Sequence, residues 1–464
     1  MGALRPLLPR LAAGALLARA AAALTAHVQQ LAHVVDNRTM FGSTAMVPQS
    51  NASDPIFLTT SWVYAPLELV AYENGALLWR LDTSKDGRQM WVVSGGAYAA
   101  TAPGALNAAA FWIEKDVGIT GNCSLAVFDA AHSPFAAGNG WRRVLEAETC
   151  ALANLALNPT TYAELSRNGS LVVALTASDA GNVTIFALEG QTGALRWARS
   201  FAPTPAQKSY WTWSGVHVSP DGEFVSWSVG ELGGAEGVRQ HVAAAADGKD
   251  RGPSIRVDEP LEPPLSLGAE YTVSSVAVAS GGERARVLRW NASAAAYTPA
   301  GADIDGPKIA GILWYFISAS LSFDPMTGVT FATLAWSSTS LNAAAVVMYN
   351  VDALASGPVA SYHTPVSTGD MDSSGVAIAC FERLCACGFY PGSGVAQPTF
   401  LLLDASAKAP VWNTTTAGSV LDVAIAPGAV PETYYVSAAG CTTPSICTDK
   451  GAEAFVWGVT FTAD

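Results

Sequence analysis

Thr161-Tyr-Ala-Glu-Leu-Ser166 is followed by a turn at Arg167-Asn168-Gly169 and an apolar run, Ser170–Thr176. A second run, Val183–Leu188, leads into the turn Gly190-Gln-Thr-Gly193, and Ala194–Phe201 closes the stretch. Short apolar runs separated by turn residues are the pattern of an antiparallel sheet of four strands. A sheet this small cannot bury both of its faces alone, so it must stack against further sheets.

The rest of the chain supplies them. Toward the amino end, Ile56–Trp62, Leu67–Tyr72 and Ala76–Leu81 read as strands after a loop through Ser43–Pro55. Met90–Val93, Ala108–Ile113, Ser124–Phe128 and Trp141–Leu145 read as the next set. Toward the carboxyl end, a set opens at Gly215 and turns at Pro220-Asp221-Gly222, where proline presets one torsion and glycine takes the positive one. A Pro-rich connector, Glu259–Pro264, precedes Val273–Ala279 and Ala285–Trp290. The next set starts with Ile312–Ser318 or Ser320–Asp324, and one more begins at Val376–Phe381. The last, Val420–Ala426, Glu432–Ala438 and Ala452–Thr460, is one strand short. Gly169, Gly222, Gly282, Gly328 and Gly428 mark candidate first turns about 50 residues apart. That period with four strands per unit predicts an all-β fold, a β-propeller of eight four-stranded blades, with seven as the alternative count. The spare strand at the amino end, His27–Asn37, is expected to complete the last blade and close the ring.

Composition narrows the function classes. Of 464 residues 50% are hydrophobic and 14% charged, which suits a large core. A net charge of −13 argues against nucleic acid or an anionic membrane surface as partner. Arg5 and Arg10 precede the Ala/Leu run Leu11–Leu24, so residues 1–26 read as a secretory signal cleaved after Ala23 or Ala26, and 27–464 as one domain. An organelle transit peptide competes, since no acidic residue precedes Asp36. The sequons at Asn37, Asn51, Asn122, Asn168, Asn182, Asn291 and Asn413 take about half of all Asn and favour the secretory route. No later apolar run is long enough to span a membrane. Cysteine usage fits the same compartment. Cys441 and Cys447 bracket a small loop and are expected to close it as a disulfide, Cys123 and Cys150 flank one hairpin and are the second expected pair, and Cys380, Cys385 and Cys387 leave one thiol over if two of them bond.

Ala187-Leu-Glu-Gly-Gln-Thr192-Gly193-Ala-Leu-Arg-Trp197 resembles the Trp-docking motif of the quinoprotein-like (PQQ-repeat) propellers, with Glu189 where Asp is usual. Ala71–Trp79 is a shortened version and Asp404–Trp412 a looser one without Thr-Gly, while the Ser219-Pro-Asp-Gly222 turn resembles a WD40-type blade. The resemblance implies that Trp79, Trp197 and Trp412 lie against neighbouring blades, as packing devices and not as cofactor ligands. The family's dehydrogenases carry adjacent cysteines beneath a quinone and acidic and amide side chains on Ca²⁺. This sequence has no Cys-Cys pair, so no cofactor and no metal site are expected.

Other chemistry is sparse. Asp370-Met-Asp372 has too few ligands for a cation loop and reads as a turn. His217, on an inner strand, is expected to be held by a backbone carbonyl, with no nucleophile paired to it in sequence, and no catalytic residue is assigned. Tyr210, Trp211 and Trp213 form an aromatic cluster in a loop: exposed, it would bind a ligand at the rim; buried, it fills a blade interface. The expected protein is a secreted, glycosylated, monomeric propeller that binds a protein or carbohydrate partner through rim loops. The alternative is an extracellular enzyme, a quinoprotein-type oxidoreductase or metal-dependent hydrolase, with its site at the central channel. Carboxylates converging with His217 would favour the enzyme.

Overall fold

The structure is a computed structural model that describes residues 24–36, 41–49, 55–61, 68–82, 88–95, 105–114, 120–151, 162–178, 180–207, 211–234, 236–258, 262–278, 281–309, 312–338, 343–364, 376–389, 398–442 and 451–463. It contains eight antiparallel sheets, each built from neighbouring strands in chain order except the last. The innermost strands of successive sheets lie side by side except around blade 5, and that of the eighth lies against that of the first, so the sheets form a closed ring. Blade 3 is the quoted stretch: Ala163–Leu165, Leu171–Ala177, Val183–Glu189 and Leu195–Phe201, from the axis outward. Its second strand is buried at every position, while its outer strand is largely solvated. Adjacent blades cover both faces of the middle strands, which is why those strands read as unbroken apolar runs.

Blade 8 joins the two ends of the described chain. Its order is Leu24–Asp36, Ala452–Ala463, Thr433–Cys441 and Val420–Pro427, from the outside in, with Leu24 opposite Ala463 and Asp36 opposite Ala452. The amino-terminal strand thus closes the ring, as expected. It begins at Leu24, between the two expected cleavage points.

Four readings change. The loop expected over Ser43–Pro55 begins as a strand, Phe41–Val47, the innermost of blade 1. Its Gly-Ser-Thr-Ala composition reads as loop, yet small side chains suit the axis, where strands crowd. Trp211–Trp213 is also a strand and pairs with Val229–Glu231. Tyr315–Asp324 is one strand with an irregularity between Phe316 and Ser318, so both alternatives were halves of it. Gly282 is not in a first turn. Blade 5 has lost its innermost strand except for one bridge, Leu265 to Thr272, and its first turn is Ser266–Glu270 with Gly268 at φ 61°. Ser266 accepts and donates there as Ser166 and Ser219 do in blades 3 and 4: each serine Oγ takes the N–H five residues on, at 2.8–3.0 Å.

Outer-strand tryptophans knit the first four blades. Trp79, Trp141 and Trp197 each donate Nε1–H to a carbonyl of the next blade: Ala130, Gly190 and Ala245, at 2.9, 2.8 and 3.0 Å. Trp79 and Trp197 each sit opposite an alanine, Ala71 and Ala187, just before a bulge. Arg143 and Arg199 add a second bond, to Gly193 O and Gly248 O, both at 3.0 Å. The sequence motif missed Trp141 and both arginines, although Trp141-Arg-Arg143 and Trp197-Ala-Arg199 share one spacing. Gly193 of the Thr192-Gly193 turn therefore has two duties. At φ 70° it makes the turn, and a Cβ there would stand 2.6 Å from the Trp141 ring. Trp412 packs differently, edge-on to Phe400 of its own blade and Trp457 of blade 8.

Candidate functional site

The chain brings three ionisable groups together, two of them on innermost strands. Glu164 lies on the innermost strand of blade 3 and His217 on that of blade 4. Glu262 comes from the Pro-rich connector into blade 5. Two buried hydroxyls fix that connector: Ser226 Oγ donates to Pro263 O, and Thr272 Oγ1 to Pro264 O at 2.9 Å. Gln240 Nε2 donates in turn to Thr272 Oγ1 at 2.8 Å.

His217 is clamped on both sides. Its Nδ1 is 3.0 Å from Glu164 Oε2 and its Nε2 is 3.6 Å from Glu262 Oε2. The expected backbone carbonyl is replaced by two carboxylates. Glu164 Oε2 also accepts the Val218 N–H at 2.9 Å, so one carboxylate fixes both ring and strand. Burial by itself would discharge the imidazole, but the hydrogen bonds and charges of Glu164, then Glu262, outweigh it and push the pKa up to about 10. At neutral pH the ring is an imidazolium with both N–H groups directed at carboxylates. It is a poor general base in that state, and neither nitrogen is open to a metal. Sequence reasoning missed Glu164 and Glu262. The signal was a lone acid inside the apolar strand Ala163–Leu165 and another in a segment read as a mere linker.

Two further groups face the axis. Asp422, on the innermost strand of blade 8, accepts Thr44 N–H at 2.7 Å and Thr44 Oγ1–H at 3.3 Å from blade 1, and its own neighbour's Val423 N–H at 2.9 Å. Burial raises its pKa to about 7 against those donors, with the charge of Glu262 adding to the rise. Arg167, in the first turn of blade 3, reaches across the ring to blade 7, where its Nη2 is 3.5 Å from Cys380 O and its guanidinium lies 4.8 Å from the centre of the Phe381 ring.

The other sequence-derived residues are scattered. Trp213 is buried in the core between blades 3 and 4 and Trp211 packs half-buried beside it, so Trp213 offers no ring to a ligand at the rim. Tyr210, Asn37, Asn51, Cys447, Asp370 and Asp372 lie outside the described residues. Asn168, Asn182, Asn291 and Asn413 are exposed and Asn122 is half-buried. Cys123 bonds Cys150, Cys380 bonds Cys385, Cys441 is also disulfide-bonded, and Cys387 is the thiol left over. The donor set does not fit a quinone with Ca²⁺. Each cystine bridges two paired strands and does not join neighbours in sequence, and no described cluster of three His, Cys, Asp or Glu side chains is arranged to hold a metal.

No family model matches the sequence, and no curated protein does. Solved structures do. The Dos1 propeller matches over 92% of this chain and 94% of its own at 9% identity, with a TM-score of 0.51. By fold, this chain is a β-propeller. Sqt1 of Saccharomyces cerevisiae matches over 94% of this chain and all 100% of its own, again at 9% identity and 0.51. The quinohemoprotein alcohol dehydrogenase of Comamonas testosteroni aligns over 92% of this propeller and 76% of itself, at 11% identity and 0.49. At these identities the likeness is one of fold. No helix among the described residues is long and apolar enough to cross a membrane.

Proposed function

We propose that this propeller is a binding module of the secretory pathway, engaging a protein or carbohydrate partner through its rim. One observation carries the reading: carboxylates do converge on His217, the arrangement that would favour an enzyme, but they hold it in an ion pair that leaves neither ring nitrogen open. His217 is neutralised by two carboxylates, and Arg167 spans the ring to the opposite blade. What remains free to vary is the set of connections at the rims, held on a rigid ring. The disulfides and exposed sequons support an oxidising, glycosylating compartment. Cleavage after Ala23 would leave the closing strand whole, whereas cleavage after Ala26 would remove its first residues.

The test uses full-length chain secreted from a eukaryotic cell. Endoglycosidase should lower its apparent mass, and Ca²⁺ with pyrroloquinoline quinone should leave its melting temperature unchanged. A rise of several degrees would overturn the binding-module reading in favour of a cofactor enzyme. Material without glycan would move the protein to another compartment.

A further inference from the structure

The arginines whose side chains are described are bound to a carboxylate, a carbonyl oxygen or an aromatic ring, with two exceptions. The exceptions are Arg239 and Arg256, directly opposite each other on the two outer strands of blade 4, Val238–Ala244 and Ile255–Val257. Among the described residues neither guanidinium has an ion-pair, hydrogen-bond or ring partner. Like charges set opposite across a strand pair, about 5 Å apart at Cβ, destabilise a sheet. A sheet shaped for stability alone would carry a carboxylate at one of the two positions, and the chain has 38 acidic residues against 25 basic ones.

The pair ends a row. Trp213, Val229, Arg239 and Arg256 are successive partners across the blade, so all four share one face. Trp213 and Val229 are buried in the core against blade 3, Arg239 is half-buried and Arg256 exposed. His241, two residues on from Arg239 and on the same face, packs its ring against Phe201 of blade 3. The two arginines therefore stand at the outer mouth of the cleft between blades 3 and 4. Arg256 lies close over the Gly237 backbone, where a Cβ would stand 3.0 Å from its Nε. The carboxylates at the strand ends are turned elsewhere: Glu231 to Gln207 Nε2 at 3.3 Å and Asp258 to the Ala277 N–H at 2.9 Å. Glu236, in the turn before Val238, is exposed and pairs with neither arginine.

We infer that Arg239 and Arg256 form an anion subsite that grips one sulfate ester of a glycan. Two forked donors on one face suit a compact tetrahedral oxyanion, since each can give two parallel N–H bonds to it. Glu231, Glu236 and Asp258 border the pair and repel a run of acidic residues, whereas a single sulfate on an otherwise neutral sugar fits between them. The inference rests on the binding-module reading and narrows its partner to an anionic carbohydrate.

The experiment titrates the full-length chain with a monosulfated lactose, with lactose and with a phosphoserine peptide, following the probe by NMR line broadening. The sulfated sugar should bind, and more weakly at high salt. Its affinity should fall about tenfold or more in Arg239→Gln and in Arg256→Gln. Arg256→Lys keeps the charge but not the fork and should bind at an intermediate level. Both glutamine variants should melt no lower than the unaltered chain, because a repulsion is relieved. A lower melting temperature in either would mean that the arginines hold the fold together, and would overturn the site. So would equal binding by the variants, or lactose binding as tightly as its sulfate. Preference for the phosphoserine peptide would overturn the choice of a glycan. If no probe binds, the subsite falls, while the cofactor titration above decides the binding-module reading separately.

Discussion

Two kinds of junction hold this ring together. Between blades 1 and 4 an indole from each outer strand bonds the next blade's outer turn, 51, 49 and 48 residues on. Between blades 4 and 5 no such indole exists among the described residues. Arg251 takes its place: it donates to Gly268 O and, at 2.7 Å, to Ala269 O, and its guanidinium lies between Phe224 at 4.5 Å and Trp290 at 4.7 Å. The first solution is apolar and repeats, so it leaves a motif. The second is a single cation between two rings and leaves none. Blade 5, which has also lost its innermost strand, is tied onward by the Tyr271 hydroxyl to Asp352 in blade 6.

The contrast is tested most severely at Trp197. Trp197→Ala should cost about 3–5 kcal/mol in denaturant unfolding, by cavity and lost burial; a cost below about 1 kcal/mol would mean the ring carries no load at its junction. Next comes Gly248→Ala. A Cβ there would stand 2.7 Å from the Trp197 ring at a φ of 70°, and about 1–3 kcal/mol should be lost. Arg251→Met keeps the stem but not the cation, and about 1–2 kcal/mol should go. If it costs as much as Trp197→Ala, the two junctions are equally strong and the contrast fails.

Two further tests are read from pH dependence. His217 holds its proton up to about pH 10 when folded, against an ordinary value near 6.5. The stability it lends is full below pH 6.5 and is lost as pH rises through 10. Asp422, raised from 3.8 to about 7, favours the fold below pH 4 and loses that contribution as pH rises through 7. Melting temperature should therefore fall from pH 7 to pH 10, less steeply in His217→Gln. The separate decline between pH 4 and pH 7 should be shallower in Asp422→Asn. An unchanged slope in either variant would remove that group from the account.

Blades 3 and 4 were legible because their turns use residues with fixed conformational preferences, Asn168-Gly169 and Pro220-Asp-Gly222. Blade 5 was misread because its first turn, Ser266–Glu270, follows a strand reduced to one bridge, so Gly282 took the place of Gly268. The aromatic cluster at Trp211 was placed in a loop because three residues show no alternation long enough to read. The channel was least legible. Glu164 and His217 are 53 residues apart and His217 and Glu262 a further 45, and nothing local marks them as partners.

The sequence by itself determined the unit and its repetition, since strand period, turn chemistry and the Thr-Gly…Trp spacing are local properties written every fifty residues or so. It also determined that the ends must meet, because a blade short of one strand and a strand short of a blade leave unpaired edges. Only the tertiary structure decided which charges face one another. Closing the ring places residues from different blades at one axis and one rim, and such distances depend on the curvature of the whole circle.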